Sequence, residues 1–332
     1  MLENYKIEKT PSSARCTELL KKFKEKEALP MGEKLQFSDV GEGNDVYNIT
    51  APFEIGDKII IAGRVESREA YADSQVMFFE EKDGKWSPVN GAPTFKLEDP
   101  FVTKIGEETI FGGVEVYPYT TEDGTCNIGY RTVFYRGHDL SSLEKGKLAV
   151  GPDGMKDIRL VPLKNSHIGV FTRPQGGESG KGKIGYIEID SLQDLNEQNL
   201  LKAEIIENQF ASGEWGGVNE LHLLEDGTIG AIGHIAYEDE KSKHYYAMSF
   251  MYDPKIHFAS QIEIIVTREN FPAGKKKEKE SKDLTDIVFP SNLVINDKDD
   301  TAIIFVGLSD AEAGSRPITD PFHGKKIIAQ LK

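Results

Sequence analysis

The stretch KLEDPFVTKIGEETIFGGVEVY, residues 96–117, decides the fold. It opens on an acidic pair and a proline (Glu98, Asp99 and Pro100), then gives two short apolar runs around a polar turn at 106–107. Runs of Val, Ile, Phe and Tyr bounded by Gly, Asp and Pro read as β-strands. An Asp before Pro is a turn signal in its own right. The pair therefore either starts a strand or holds a carboxylate where chemistry takes place.

The same rhythm recurs along the chain. It is repeated in ITAPFEIGDKIIIAGRVES from Ile49, DIRLVPLKNSHIGVFTRPQ from Asp157, GVNELHLLEDGTIGAIGHI from Gly217 and DIVFPSNLVINDKDDTAIIFVGLSD from Asp286. Successive units begin roughly 50–70 residues apart, the spacing of four-stranded propeller blades with irregular loops. Outer-strand candidates follow most units: QVMFFEEKDGKWSPV, YRTVFYRGHDL, IGYIEIDSL and YYAMSFMYDP. A two-sheet sandwich does not predict one two-strand core recurring in five places. The reading is an all-β chain, a five-bladed β-propeller over residues 41–332 as a single domain. A helical extension over residues 1–40 precedes it, with a helix expected over 12–28, capped by Ser12 or Ser13 and apolar at Leu19, Leu20 and Phe23.

Composition narrows the function. The 332 residues are 38% hydrophobic and 29% charged, with a net charge of −15 that argues against a nucleic-acid partner. Two cysteines, Cys16 and Cys126, exclude a disulfide scaffold. Reduced thiols, no secretory apolar core in MLENYKIEKTPSSARC and no bilayer-length apolar run give the expectation of a cytoplasmic protein without a membrane partner. His138, His167, His222, His244, His257 and His323 show no recurrent ligand spacing, so no metal is expected. GGESGKGK at 176–183 imitates a phosphate loop, but glycine follows Lys181 and a strand comes next, so it reads as a hairpin loop. GKKKEKESKD at 274–283 reads as a solvated loop.

Propeller geometry says where chemistry can lie, because the first strand of each blade lines the central channel. Polar residues at the starts of these strands are Asn48 and Thr50, Glu98 and Asp99, Lys156, Asp157 and Arg159, Asn219 and Glu220, and Asp286. The second strands are expected to end in Arg64, Glu115, Arg173, His234 and Asp310. Buried charges need partners or a ligand, and a channel that only has to be filled does not need them. Tyr117, Tyr119, Trp215 and Tyr237 fall near the loops at the mouth. They either pack between blades or stack on a sugar ring, Trp215 in SGEWGG being the best stacking candidate.

Six ordered motifs carry a family resemblance: LEDP at 97–100, KDIRLVP at 156–162 with FTRP at 171–174, GHIAY at 233–237, and DIVFP at 286–290 with VGLSDAEAG at 306–314. Over roughly residues 45–315 the chain resembles glycoside hydrolase family 130, the β-mannoside phosphorylases and mannosidases. The resemblance implies a carbohydrate-active enzyme acting on a β-linked, mannoside-like oligosaccharide or glycoside. It makes Asp99 the general acid, protonating the glycosidic oxygen through a sugar hydroxyl while inorganic phosphate, the co-substrate, attacks with inversion. No other cofactor is implied. Lys156, Arg173 and His234 fall on the family's phosphate-site motifs, and Arg159 joins them from position alone. Asn48, Arg64, Glu98, Asp157, Trp215, Asn219, Tyr237, Asp286 and Asp310 are expected to contact substrate. Phe101 stands where the family carries arginine. Two further acids, Glu115 and Glu220, are candidate bases for the alternative, inverting hydrolysis, which needs carboxyls roughly 6.5–9.5 Å apart. A non-catalytic propeller that binds sugar or protein is the third reading, and a homo-oligomer is the family's usual association.

Overall fold

Strand alternation sends successive side chains to opposite faces, and every sheet of this chain buries both. In Lys58–Ser67, Ile60 and Ala62 meet Phe78, Phe95 and Phe111 on one side, and Ile61 and Val65 meet Phe79, Trp86 and Phe305 on the other. In the next sheet Phe111 faces back toward the first, and Ile110 faces forward onto Phe134, Ile158 and Leu160. Five apolar clusters result, one between each pair of neighbouring sheets, including the last and the first. Burying both faces in this way is what closes five twisted sheets into a ring.

The computed structural model describes residues 15–26, 30–69, 73–275, 283–296 and 300–328. Blade one runs outward through Asn44–Tyr47 (continued after a break by Phe53–Ile55), Lys58–Ser67, Gln75–Lys82 and Lys85–Pro88. Blade two has Glu98–Ile105, Glu108–Thr120, Cys126–Gly137 and Lys147–Val150. Blade three has Arg159–Pro162, Ile168–Thr172, Gly185–Ile189 and Glu204–Ile205. Blade four has Trp215–Leu223, Ile229–Glu238 and Lys243–Asp253, flanked by Phe258–Ala259 and Glu263–Val266. Blade five has Val288–Asn296, Thr301–Leu308 and Glu312–Thr319, and its outermost strand, Glu33–Lys34, comes from the other end of the chain. The ring is thus a five-bladed propeller, clasped by a strand that precedes blade one.

The helix is Cys16–Lys24, shorter than the expected 12–28; Ser12, Ser13 and residues 27–28 lie outside the described residues. Its first turn is held by Glu18, which accepts from the Arg15 N–H, and by Glu214 of the loop before blade four, which accepts from the Cys16 N–H at 2.7 Å. Leu19, Leu20 and Phe23 pack on blade four as the apolar pattern predicted, and Cys16 packs beside them. The loop at 274–283 falls largely outside the described residues, within which no helix is long and apolar enough to cross a membrane.

One irregularity positions the polar residues of the inner strands. The ladder between the two inner strands slips between Glu98 and Phe101, between Val218 and Glu220, and between Pro290 and Leu293. In blades one to three the corresponding residues Asn48, Asp99 and Asp157 take left-handed backbone, φ 45°, 48° and 59°. Asn and Asp tolerate this conformation better than other side-chain-bearing residues.

The ring predicts an asymmetry in mutational cost. Phe111→Ala, at the seam between blades one and two, should lower stability by about 3–5 kcal/mol in urea unfolding. Ile303→Ala, on a half-exposed face, should change it by less than about 0.5 kcal/mol. Equal effects would contradict an interface-based core.

Candidate active site

The strand breaks turn side chains toward the axis, and those of blades one and two converge on Arg64. Its guanidinium lies within ion-pair distance of three carboxylates, Glu66 at 3.0 Å, Glu98 at 2.9 Å and Asp99 at 3.2 Å. Its Nε donates to Ser74 Oγ at 3.0 Å, and the Tyr47 ring lies 5.0 Å beneath it. Asn48 donates its amide to Asp99 Oδ1 at 2.7 Å, and the Tyr47 hydroxyl donates to Glu66 at 2.6 Å. Asp99 is therefore oriented from two sides by blade one. Burial, reinforced by the Asp99 charge, pushes the Glu98 carboxyl above its usual range against the pull of Arg64. Asp310 sits close enough to Tyr47 to act on it electrostatically. Close approach here requires a missing side chain at Gly307, where a Cβ would fall 1.9 Å from Asn48 Oδ1.

Blade three supplies the cations, and blade four packs His234 and Asn219 beside them. Arg173 donates through Nη1 to Asp157 at 3.1 Å, through Nε to the Gly216 carbonyl at 2.8 Å and through Nη2 to the Lys181 carbonyl at 3.0 Å. Burial disfavours the Asp157 carboxylate, but Arg173, Lys156 and Arg159 together hold it below its ordinary range. Burial likewise opposes the Lys156 charge, and Asp157 and Asp99 more than offset it. Among the described residues no carboxylate lies within ion-pair distance of Lys156, whose Nζ hangs 6.0 Å from the Tyr130 ring. His234 is buried, contacts Asn219 Oδ1 through Nδ1 at 2.9 Å and stacks on Tyr245 at 5.6 Å. Gly217 makes room for this cluster, since a Cβ there would stand 2.8 Å from Arg173 and 3.1 Å from His234.

Other expected residues lie elsewhere. Glu115 turns outward to Arg131, 2.8 Å away, and toward Lys147, so it does not join Asp99. Glu220 follows the break in blade four and faces the opposite half of the channel. There it accepts from the Asn292 amide at 2.9 Å and the Leu293 N–H at 2.6 Å. That half is a cavity of about 240 Å³, lined also by Arg159, Phe101 and His222. Arg159 thus points away from Lys156: its guanidinium lies 4.2 Å over the Phe101 ring and Nε donates to the Asn219 carbonyl. Phe101, at the family's arginine position, is itself core, packed on Phe134. Trp215 is 4% exposed, with Lys181 over its ring at 4.6 Å and Nε1 donating to Tyr245, so neither face is open to a sugar. Tyr237 stacks on His244. Asp286 precedes blade five's strand and accepts from Tyr246 and His244; Ser291 and Asn292 occupy the break instead. The 176–183 loop is docked rather than free, because Lys181 also pairs with Glu238.

Glu66, Ser74, Tyr130 and Tyr245 belong to the site and were not singled out from sequence. Glu66 had a signal, since it lies two residues after Arg64 and so on the same strand face. The other three carried none. No group of three or more potential metal ligands occurs among the described residues.

Comparisons with known proteins agree with the propeller fold. The family described as "Protein of unknown function (DUF1861)" matches residues 21–324. A mannose phosphorylase from Leishmania mexicana, MPT-4, solved in complex with phosphate ion, is 33% identical with a TM-score of 0.84, over 95% of this chain and 96% of that one. MPT-1 of the same organism, a GDP-Man-dependent mannosyltransferase, is 34% identical with a TM-score of 0.81, over 94% and 97%. A β-1,2-mannobiose phosphorylase from Listeria innocua shares the fold at 15% identity, TM-score 0.59, over 87% and 94%. A comparison with curated proteins finds no match.

His234 gives the site a pH signature. Burial holds its pKa down to about 3; Asp157 opposes this, and Arg173, Lys156 and Arg159 add to it. The unfolded imidazole titrates near ~6.5, so below that pH the unfolded chain binds the extra proton. Stability contributed by the neutral imidazole is present above about pH 6.5 and is lost as pH falls toward 3, by up to about 1.4 kcal/mol per unit. Urea unfolding at pH 7 and pH 5 should show a smaller acid loss for His234→Gln than for the native chain; an unchanged difference would contradict a buried neutral imidazole.

Proposed function

Since this chain belongs to the DUF1861 family and is a carbohydrate-active enzyme of the glycoside phosphorylase or glycosidase type, we propose that it phosphorolyses a β-linked mannoside with inversion. The observation that carries this reading is the Lys156 ammonium, charged and without a carboxylate partner among the described residues, beside Arg173 and His234. A channel with no anion to bind would have paired that cation. The relative MPT-4 was solved with a phosphate ion, which supports the same role here.

In this mechanism phosphate rests on Lys156 and the remaining N–H donors of Arg173, point-charge and planar contacts suited to its oxygens. The sugar lies between the phosphate and Asp99. A phosphate oxygen forms the new bond to the anomeric carbon as the glycosidic C–O bond breaks. The Asp99 carboxyl delivers a proton to the departing oxygen through a sugar hydroxyl. The products are a sugar 1-phosphate and a free hydroxyl on the leaving sugar. Asn48 and Arg64 hold the Asp99 carboxyl in place. Hydrolysis is less well supported, because it needs a base for water, and Glu115 and Glu220 are engaged elsewhere. Transfer from a nucleotide sugar is a second reading, favoured by the equal likeness to MPT-1.

The test is product analysis with β-mannobiose or with GDP-mannose, each with and without phosphate. Mannose 1-phosphate formed only when β-mannobiose and phosphate are both present supports phosphorolysis. Free mannose without phosphate indicates hydrolysis, and mannosyl transfer from GDP-mannose indicates the transferase reading. Asp99→Asn should lower turnover by about 10²–10⁴-fold, Lys156→Ala should abolish thermal stabilisation by phosphate, and Glu115→Gln should leave turnover nearly unchanged.

A further inference from the structure

Blade two's middle strands, Glu108–Thr120 and Cys126–Gly137, continue past the point where the inner strand's ladder begins at the Glu98–Val114 pair. The resulting hairpin overhangs the mouth. Val116 stands directly opposite Tyr130 and Pro118 opposite Ile128, and opposed residues share a face. Val116 is 43% exposed and Ile128 72% exposed. A half-open cleft of about 440 Å³ lies beneath them, floored by Leu97 and Val114 and bounded by Ser74 and Gln75 of blade one. Its inner end is Glu98, the residue adjoining Asp99 and clamped by the same Arg64.

We propose that this cleft is the subsite for the leaving sugar, with the apolar wall of Val116, Pro118 and Ile128 against the ring's C–H face and Ser74, Gln75 and Glu98 toward its hydroxyl edge. The inference rests on the phosphorolysis reading above and deepens it. Three observations converge on this occupant. The mouth is polarised, with the carboxylates of Glu66, Glu98 and Asp99 from blades one and two facing the Lys156 ammonium of blade three, which among the described residues has no carboxylate within ion-pair distance. In an in-line displacement the nucleophile and leaving group occupy opposite sides of the anomeric carbon, so the leaving sugar belongs on the acid side, where this cleft is formed by blade one and blade two residues alone. The volume falls within the ~300–1,000 Å³ typical of small-molecule sites, and a mostly apolar wall with a few convergent polar groups is the usual lining. Exposed aliphatics that continue into a buried acid pair are better explained by a ligand with one apolar and one hydroxylated side than by solvent alone.

The experiment runs the reaction in the synthetic direction, with mannose 1-phosphate as donor and mannose or β-mannobiose as acceptor, on the full chain. Ile128→Asn and Val116→Thr lie on the exposed hairpin and should leave the fold intact. Each should raise the acceptor KM by about three- to tenfold with kcat nearly unchanged, the pattern of lost uniform binding. Stabilisation by phosphate alone should stay as in the native protein, which a general loss of structure would not allow. Acceptor KM values within error of native in both variants, with the native protein active, would overturn the subsite and leave the reaction class standing. A native protein that makes no phosphate-dependent product overturns both. Loss of a dimer in sedimentation, with unaltered acceptor KM, would assign the apolar wall to a second copy of the chain instead.

Discussion

A strand that lines a narrow channel keeps its backbone in the ladder, and its side chains alternate between the two neighbouring seams. To turn a polar group onto the axis, the strand has to leave register. The inner strands of this propeller do so at one common depth, through left-handed Asn48, Asp99 and Asp157 and through slips at Asn219 and at Ser291–Asn292. Each break costs ladder hydrogen bonds and backbone strain of order 1–3 kcal/mol where φ is positive. The five apolar seams around the ring make that cost tolerable, because they fix the strands on either side of each break. The ring of breaks also divides the channel. Residues before it form the acidic and basic mouth, and residues after it line the separate cavity at Arg159 and Glu220.

The division explains which parts of the site were legible in the sequence. The fold was, because a two-residue alternation repeated in five places survives irregular loops and names its own architecture. Asp99, Asp157 and Asn48 were, because a residue that must adopt positive φ and carry a polar group is nearly restricted to Asn and Asp. Glu115 and Glu220 misled because a side chain's direction in a strand depends on register. Glu115 sits one residue past the partner of Glu98 and so faces Arg131, and Glu220 sits one residue past the break and so faces the other half of the channel. A slip of one position reverses every assignment of this kind.

Two errors have a different origin. Asp286 reads as the start of blade five, yet the strand begins at Val288, and His244 and Tyr246 of blade four have already engaged its carboxylate. Trp215 in SGEWGG reads as the best stacking candidate, but the glycines serve close packing: the Gly217 position admits Arg173 and His234, and Trp215 is left beneath Lys181. Both depend on contacts between segments far apart in the chain. Single-strand patterns carry no record of such contacts.

Phe101 decides how charge is distributed along the channel. An arginine at this position would follow Asp99 on the same strand, whereas Phe101 turns into the seam between blades two and three and offers its face to Arg159. Arg159 is thereby held below the break, where its charge reaches Asp157 at 3.9 Å without entering the mouth. The mouth then keeps a clear polarity, with carboxylates gathered on Arg64 on one side and Lys156 and Arg173 on the other. A displacement that protonates one oxygen while an anion attacks from the opposite face needs that polarity. Phe101 therefore keeps the Arg159 charge out of the mouth and leaves its two oppositely charged sides apart within one channel.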